Sequence, residues 1–284
     1  MTRNQPTDLP DPAEPASPSF MRRRRALRLI LTGLFAACSR GGGKPANAAS
    51  PFDHDHKAWD ALLNTYVKRG RVAYGRLKQA ARSELDAYLH ALAAVGRPEY
   101  MSWSNEQRMA FLINAYNAAT VKLVLDHYPL KSIKSIGLLP GAAFREDFIT
   151  LPALADGEIS LNHIEHEVLR KKFRDPRIHF AIVCASTSCP ELRPEAYVAR
   201  RLHAQLDDAA RRFLADTGKN RYDGTSDTLF VSAIFDWFQT DFEKSAGSVT
   251  AFVKRYLPPD QAAGITPSKT RLKHLDYDWS LNGD

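Results

Sequence analysis

The stretch Phe111-Leu112-Ile113-Asn114-Ala115-Tyr116-Asn117-Ala118-Ala119 constrains the fold most. It lies within a helical pattern over 104–128 that opens with Ser104 and Gln107 at capping-box spacing and stops before Pro129. Its apolar residues cover nearly every side, which requires a buried helix. Asn114 and Asn117 then share one face of it at i, i+3 spacing. A buried amide left unpaired costs roughly 1–3 kcal/mol. These two side chains therefore either brace a neighbouring backbone or face a polar pocket.

Residues 83–95 and 160–173 also read as helices, the second opened by a serine cap and amphipathic through Ile164, Val168 and Leu169. The run 178–185 is apolar and β-branched. Bounded by Asp175-Pro176 and Ser186-Thr187-Ser188, it reads as a strand buried on both faces. Residues 229–232 read as a second strand, 233–242 and 249–256 as helices, and 272–279 as a closing strand. Helices first and separated strands later indicate an α+β fold, expected as helices packed around a central, mainly antiparallel sheet. Without a repeat or long linker after Ala48, residues 49–284 read as a single domain.

The first 48 residues differ in kind and read as an export signal and leader. Met21-Arg22-Arg23-Arg24-Arg25 is a basic cluster, 26–37 a short apolar run, and Ala46-Asn47-Ala48 a small-x-small cleavage pattern. The run is shorter than the about 20 residues a membrane-spanning helix needs. Met21 is a natural start for such a signal, and Arg24-Arg25-Ala26-Leu27 admits a twin-arginine reading. Phe35-Ala36-Ala37-Cys38 approximates a lipoprotein box, so a lipid on Cys38 is the alternative to cleavage after Ala48. The expected location is exported, either periplasmic or lipid-anchored in the cell envelope.

The leader also distorts the charge. It holds eight of the 39 Lys and Arg and three of the 32 Asp and Glu, so the formal +7 falls to +2 without it. A nucleic-acid partner is not expected, and membrane attachment is expected only through a lipid on Cys38.

In Asn162-His163-Ile164-Glu165-His166-Glu167-Val168-Leu169-Arg170, the side chains of His163, His166 and Glu167 fall within one turn. The order is not the zinc-protease HExxH, and closing a zinc site would require His179 as a third ligand. No metal and no cofactor are assigned. Cys184 and Cys189 stand five positions apart where the apolar run breaks into a small-residue turn. On a strand, Cys184 and His179 would point to opposite faces, leaving His166 as the better base for a Cys184 nucleophile. Free backbone N–H groups of residues 186–188 would form an oxyanion-binding nest. A disulfide between the two cysteines and a pair of inert buried thiols are the competing readings.

Taken together, Phe111 to Asn117, Ile164-Glu165-His166 leading to Leu169-Arg170, Asp175 to Ala181 with Cys184-Ala185-Ser186 and Cys189-Pro190, and Tyr277-Asp278-Trp279-Ser280-Leu281-Asn282 resemble the domain of unknown function 547 family. The resemblance runs from about Trp103 to the C-terminus. It implies an often exported bacterial protein without a settled activity, with a papain-like or transglutaminase-like cysteine enzyme as the expected fold relationship. The family pattern carries an aromatic residue where Leu112 stands and an acid where His163 stands, which leaves Glu165, His166 and Cys184 as the residues carried over. In papain-like enzymes the cysteine precedes the histidine, whereas here His166 precedes Cys184, so either the site is permuted or the analogy fails.

Two functions of different classes follow. One is a cysteine-dependent acyl-transfer enzyme, hydrolase or transferase, acting on a peptide or thiol-peptide. Cys184 is its nucleophile, His166 its base, and Glu165 or an asparagine amide the orienting group. The other is a non-catalytic envelope binding module stapled by a Cys184–Cys189 disulfide, with Asn114, Asn117, Arg177, His179 and Ser186 lining a ligand or partner groove.

Overall fold

Ser104 accepts the backbone N–H of Gln107 while the Gln107 side chain accepts the backbone N–H of Ser104. From this capping box the helix Asn105–His127 runs through the middle of a large apolar core, buried from Met109 to Val121 without a break. This is a computed structural model, and it describes residues 51–139 and 141–283. The leader, its cleavage pattern and Cys38 lie outside the described residues.

The helix Lys57–Tyr66 packs on two others, Tyr74–Ala80 and Arg82–Ala93, which in turn pack on the central helix. A π-wound helix, His163–Phe173, also packs on it and carries Glu165 and His166. A second core is largely aromatic and gathers Phe180, Phe213, Phe235, Phe242 and Phe252. It is built by the helices Leu202–Ala215, Ile234–Trp237, Gln239–Ala246 and Val249–Tyr256.

The fold is α+β, but the expected central sheet is not there. Among the described residues the strands form three small sheets. Two are pairs of two-residue antiparallel strands, Val67–Lys68 with Arg71–Val72 and Ile149–Thr150 with Glu158–Ile159. In the third, Thr228–Val231 pairs antiparallel with Arg221–Asp223 and parallel with Arg271–His274. The strand expected over 178–185 is also absent. Asp175 accepts the backbone N–H of Arg177, and Pro176, whose φ is fixed, opens a 3-10 turn, Pro176–Phe180. The following backbone is satisfied by a side chain in place of a neighbouring strand. Asn117 donates to Ala181 O at 2.9 Å and accepts from Val183 N at 3.0 Å. Burial makes a continuous apolar run look like a buried strand, and the amide clamp lets it remain irregular.

Asn114 does the same one turn earlier, donating to Tyr197 O at 2.8 Å and accepting from Tyr197 N at 3.0 Å. Both amides are buried and brace the backbone, which is the first of the two roles open to them. The closing segment 277–282 extends past its short strand as a strap along the cysteine loop. Thr187 N donates to Ser280 O, Ser188 N to Asp278 O, and Asn282 N to Ala185 O.

Candidate active site

Cys184 sits where the clamped segment ends, and the next residue, Ala185, has φ of +58°. A left-handed alanine costs on the order of 1 kcal/mol, and the surrounding bonds enforce it here. The strap holds Ala185 O, and Ser186 bridges to Leu281. Sharp backbone strain beside a nucleophile is a recurrent way to expose its side chain at a cleft.

The Cys184 sulfur lies 3.0 Å from Ser186 Oγ and 3.2 Å from Tyr277 Oη, and its backbone N–H donates to Cys189 Sγ at 2.9 Å. Both cysteines are free thiols. Burial by itself would raise the Cys184 pKa, but hydrogen bonds from Cys189, Ser186 and Tyr277 outweigh it and bring the thiol down to about 7. Cys189 goes the other way, pushed up by burial and by the neighbouring Cys184. Of the pair, Cys184 is the one that ionises, and Cys189 supports it.

Cys184 opens onto a cavity of about 60 Å³, which it shares with Tyr116, Asn162, Glu165, His179, Trp237 and Tyr277. His179 is buried, its ring stacked on Phe238 at 3.9 Å between centroids. Its Nε2 is 2.9 Å from Asp241 Oδ2, and Arg170 grips the same carboxylate through bonds of 2.6 and 3.1 Å. Burial raises the pKa of Asp241, but His179 and Arg170 together hold it far below the usual carboxylate range. An ionised Asp241 makes Nε2–H the donor. Burial lowers the His179 pKa more than Asp241 raises it, so the ring is neutral and the proton sits on Nε2. Its Nδ1 is then a free lone pair, buried without a hydrogen-bond partner, with Glu165 Oε1 at 3.9 Å. Tyr116 Oη donates to the other Glu165 oxygen at 3.3 Å. An imidazolium formed at His179 would stand between two carboxylates.

The expected site residues therefore separate. Cys184, Glu165 and His179 line the cavity, and Ser186 contacts the sulfur. His166 does not line it. Its Nδ1 accepts from Arg170 Nη1 at 2.9 Å, which places it behind Asp241, and burial lowers its pKa. Arg177 is tied to Asp175, Asp207 and His203, away from the cavity. Asn114 and Asn117 spend their amides on backbone and reach the site only through the loop Asn117 holds. The expected nest is not free either, because the strap takes the N–H groups of Thr187 and Ser188. Asn162 lines the cavity and is the remaining side-chain amide there.

The sequence reading missed Asp241, Tyr116, Trp237 and any role for Tyr277. Tyr116 and Tyr277 both fall within the family-like motifs and are accessible to suspicion from sequence. Asp241, 62 positions after His179, carries no local signal. The cysteine–histidine opposition failed with the strand it assumed, because a 3-10 turn does not alternate its side chains. Among the described residues no group of three or more His, Cys, Asp or Glu is arranged to hold a metal ion, and no helix is long and apolar enough to cross a membrane.

Fold and site together define an α+β protein with a low-pKa thiol and a carboxylate-oriented histidine on one cleft. The family model described as "Protein of unknown function, DUF547" matches residues 100–214. The match runs from the amide-clamp helix through the cysteine loop, so that segment is similar to this family; the strap and Asp241 lie beyond the match. No curated protein and no solved structure matches the chain.

Proposed function

We propose that the protein is an exported, cysteine-dependent acyl-transfer enzyme of the cell envelope, a hydrolase or transferase acting on a peptide or thiol-peptide carbonyl. The observation that carries this reading is that His179, whose Nδ1 is buried without a hydrogen-bond partner, lines the same cleft as the Cys184 thiol. The export part rests on the basic cluster and apolar run of the leader.

In this mechanism the Cys184 proton passes to His179 Nδ1, and the thiolate attacks the carbonyl carbon. As the tetrahedral intermediate collapses, the bond to the leaving amine or thiol breaks and His179 returns the proton to it. Water or a second nucleophile then attacks the thioester and gives its proton to His179, the carbon–sulfur bond breaks, and His179 returns that proton to the departing Cys184 thiolate. Asp241 fixes the tautomer and ring plane, and Glu165 adds charge stabilisation to the imidazolium. Asn162 is the donor for the oxyanion. These are the roles found in papain-like and transglutaminase-like enzymes with the chain order inverted, and a permuted relative of those folds is part of the proposal.

The test is incubation with an activated peptide ester followed by peptide mass analysis. An acyl adduct on Cys184 is expected, abolished in Cys184→Ser and formed about 10²–10⁴-fold more slowly in His179→Ala. An unreactive pair lighter by two hydrogens would establish the disulfide and transfer the reading to a non-catalytic binding module.

A further inference from the structure

The space beside the Cys184 sulfur is narrow, about 60 Å³. An apolar protein cavity of roughly 150 Å³ takes up one benzene ring, so this one has room for about three non-hydrogen atoms. Attack on a carbonyl brings its carbon to within about 3–3.5 Å of the sulfur. The carbonyl carbon, its oxygen and the α-carbon must therefore lie in the cavity together, and they nearly fill it.

The wall that sets this limit is aromatic and held from several sides. Trp237, Tyr277 and Trp279 line the cavity, each half-buried. Tyr277 lies 4.7 Å from each tryptophan ring, and the two tryptophans stack on one another at 5.7 Å. Tyr277 Oη stands at the Cys184 sulfur and accepts from Ser186 Oγ at 3.1 Å. Trp279 sits between Asp278 and Ser280, whose carbonyls accept the N–H groups of Ser188 and Thr187, and Lys134 Nζ lies 5.1 Å over its ring. Trp237 ends the helix Ile234–Trp237, which the fully buried Phe235 anchors in the aromatic core. Moving any one of the three rings aside breaks its contacts with the other two. A wall packed in this way resists added methylenes, because they force rings off their rotamers.

We propose that the cavity selects a small acyl group, acetyl or glycyl in size, and that Trp237, Tyr277 and Trp279 exclude donors with a bulky substituent on the α-carbon. This inference rests on the acyl-transfer reading and names the substrate class of that site.

The experiment offers the reduced full chain the acetyl and phenylacetyl thioesters of one thiol and reads acylation of Cys184 by peptide mass. In each case the bond from the carbonyl carbon to the leaving thiol breaks as the bond to Cys184 forms. Dividing each rate by that of a free cysteine peptide removes the intrinsic difference between the two thioesters. The acetyl donor is expected to be favoured by roughly 10–100-fold, and Trp237→Ala to reduce that preference by about tenfold or more. Trp279→Leu, on the strap, should relax it as well. Alkylation of Cys184 by iodoacetamide and by its N-phenyl derivative, normalised in the same way, tests the same limit without catalysis. Equal normalised rates for the two thioesters in an acylated chain overturn the size selection and leave the acyl-transfer reading standing. If neither thioester acylates Cys184 while iodoacetamide is still preferred, the acyl-transfer reading fails and the size limit of the cavity stands. A preference that survives both Trp237→Ala and Trp279→Leu overturns the assignment to the aromatic wall.

Discussion

The two cores of the molecule are built on different chemistry. The larger one surrounds the helix Asn105–His127, is largely aliphatic outside an aromatic corner, and secures irregular neighbours by buried amide clamps. The smaller one is centred on a cluster of phenylalanines in tilted contact between helices. The segment 176–189 belongs to both, since Ile178 and Ile182 pack in the first and Phe180 in the second. The candidate site occupies this seam. The amide-clamped core supplies Cys184 and Glu165, and the aromatic side supplies Phe238 and Asp241. The comparison teaches that the thiol is positioned by backbone bracing, whereas the histidine is positioned by ring stacking and a carboxylate.

The largest effect tests whether the two cores stand together. Phe235 is fully buried and lies 4.7 Å from Phe242. Phe235→Ala should lower unfolding stability by about 3–5 kcal/mol. Denaturant melts followed by circular dichroism and by tryptophan fluorescence should coincide, because the shared segment couples the cores. Two separated transitions would break the comparison into two independent units.

Next comes the clamp. Asn117→Leu orphans Ala181 O and Val183 N in an apolar interior, each worth roughly 1–3 kcal/mol. Chemical denaturation should show that loss, and the loosened loop should change the alkylation rate of Cys184. An unchanged melting midpoint would mean that the segment is held by packing alone.

A smaller effect separates the thiol from an ordinary one. With its pKa brought down to about 7, the Cys184 thiolate fraction rises through neutral pH. Its iodoacetamide rate should climb between about pH 6 and 8 and then level off, where a free thiol of pKa about 8.5 would still be climbing. Tyr277→Phe removes a donor to the thiolate, so the midpoint should move up by about one pH unit, the size of one hydrogen bond to a charged group. A profile unmoved by Tyr277→Phe would assign the low value to another cause.

The contrast also explains what could be read from the chain. The central helix was legible because burial on all sides, a capping box and a terminating Pro129 agree locally. The Thr228–Val231 strand and the Val249–Tyr256 helix were legible for the same reason. The strand assigned to 178–185 was not, because two side-chain bonds from Asn117, more than sixty positions away, replace the ladder that periodicity assumes. At the site Cys184 and Glu165 stood out by residue type and motif. That His179 lines the cleft and His166 does not was not legible, since it depends on the 3-10 turn opened by Pro176.

The smallest expected effect decides between the two histidines. His166 has a local sequence context that suits a base, yet its Nδ1 already accepts from Arg170 and its ring is not on the cleft. His179 lines the cleft, with one nitrogen buried and unpartnered and the other on Asp241. His166→Ala leaves both bonds from Arg170 to Asp241 in place, so the orientation of His179 should survive. Acylation of Cys184 should then change by no more than about threefold, the equivalent of less than about 1 kcal/mol. The readout is the single-turnover rate at pH 7 and 8, compared with that of His179→Ala in the same assay. If His166→Ala is as damaging as His179→Ala, and Arg170→Lys fails to reproduce the loss, the proton acceptor is His166 and the assignment drawn from the cleft is wrong.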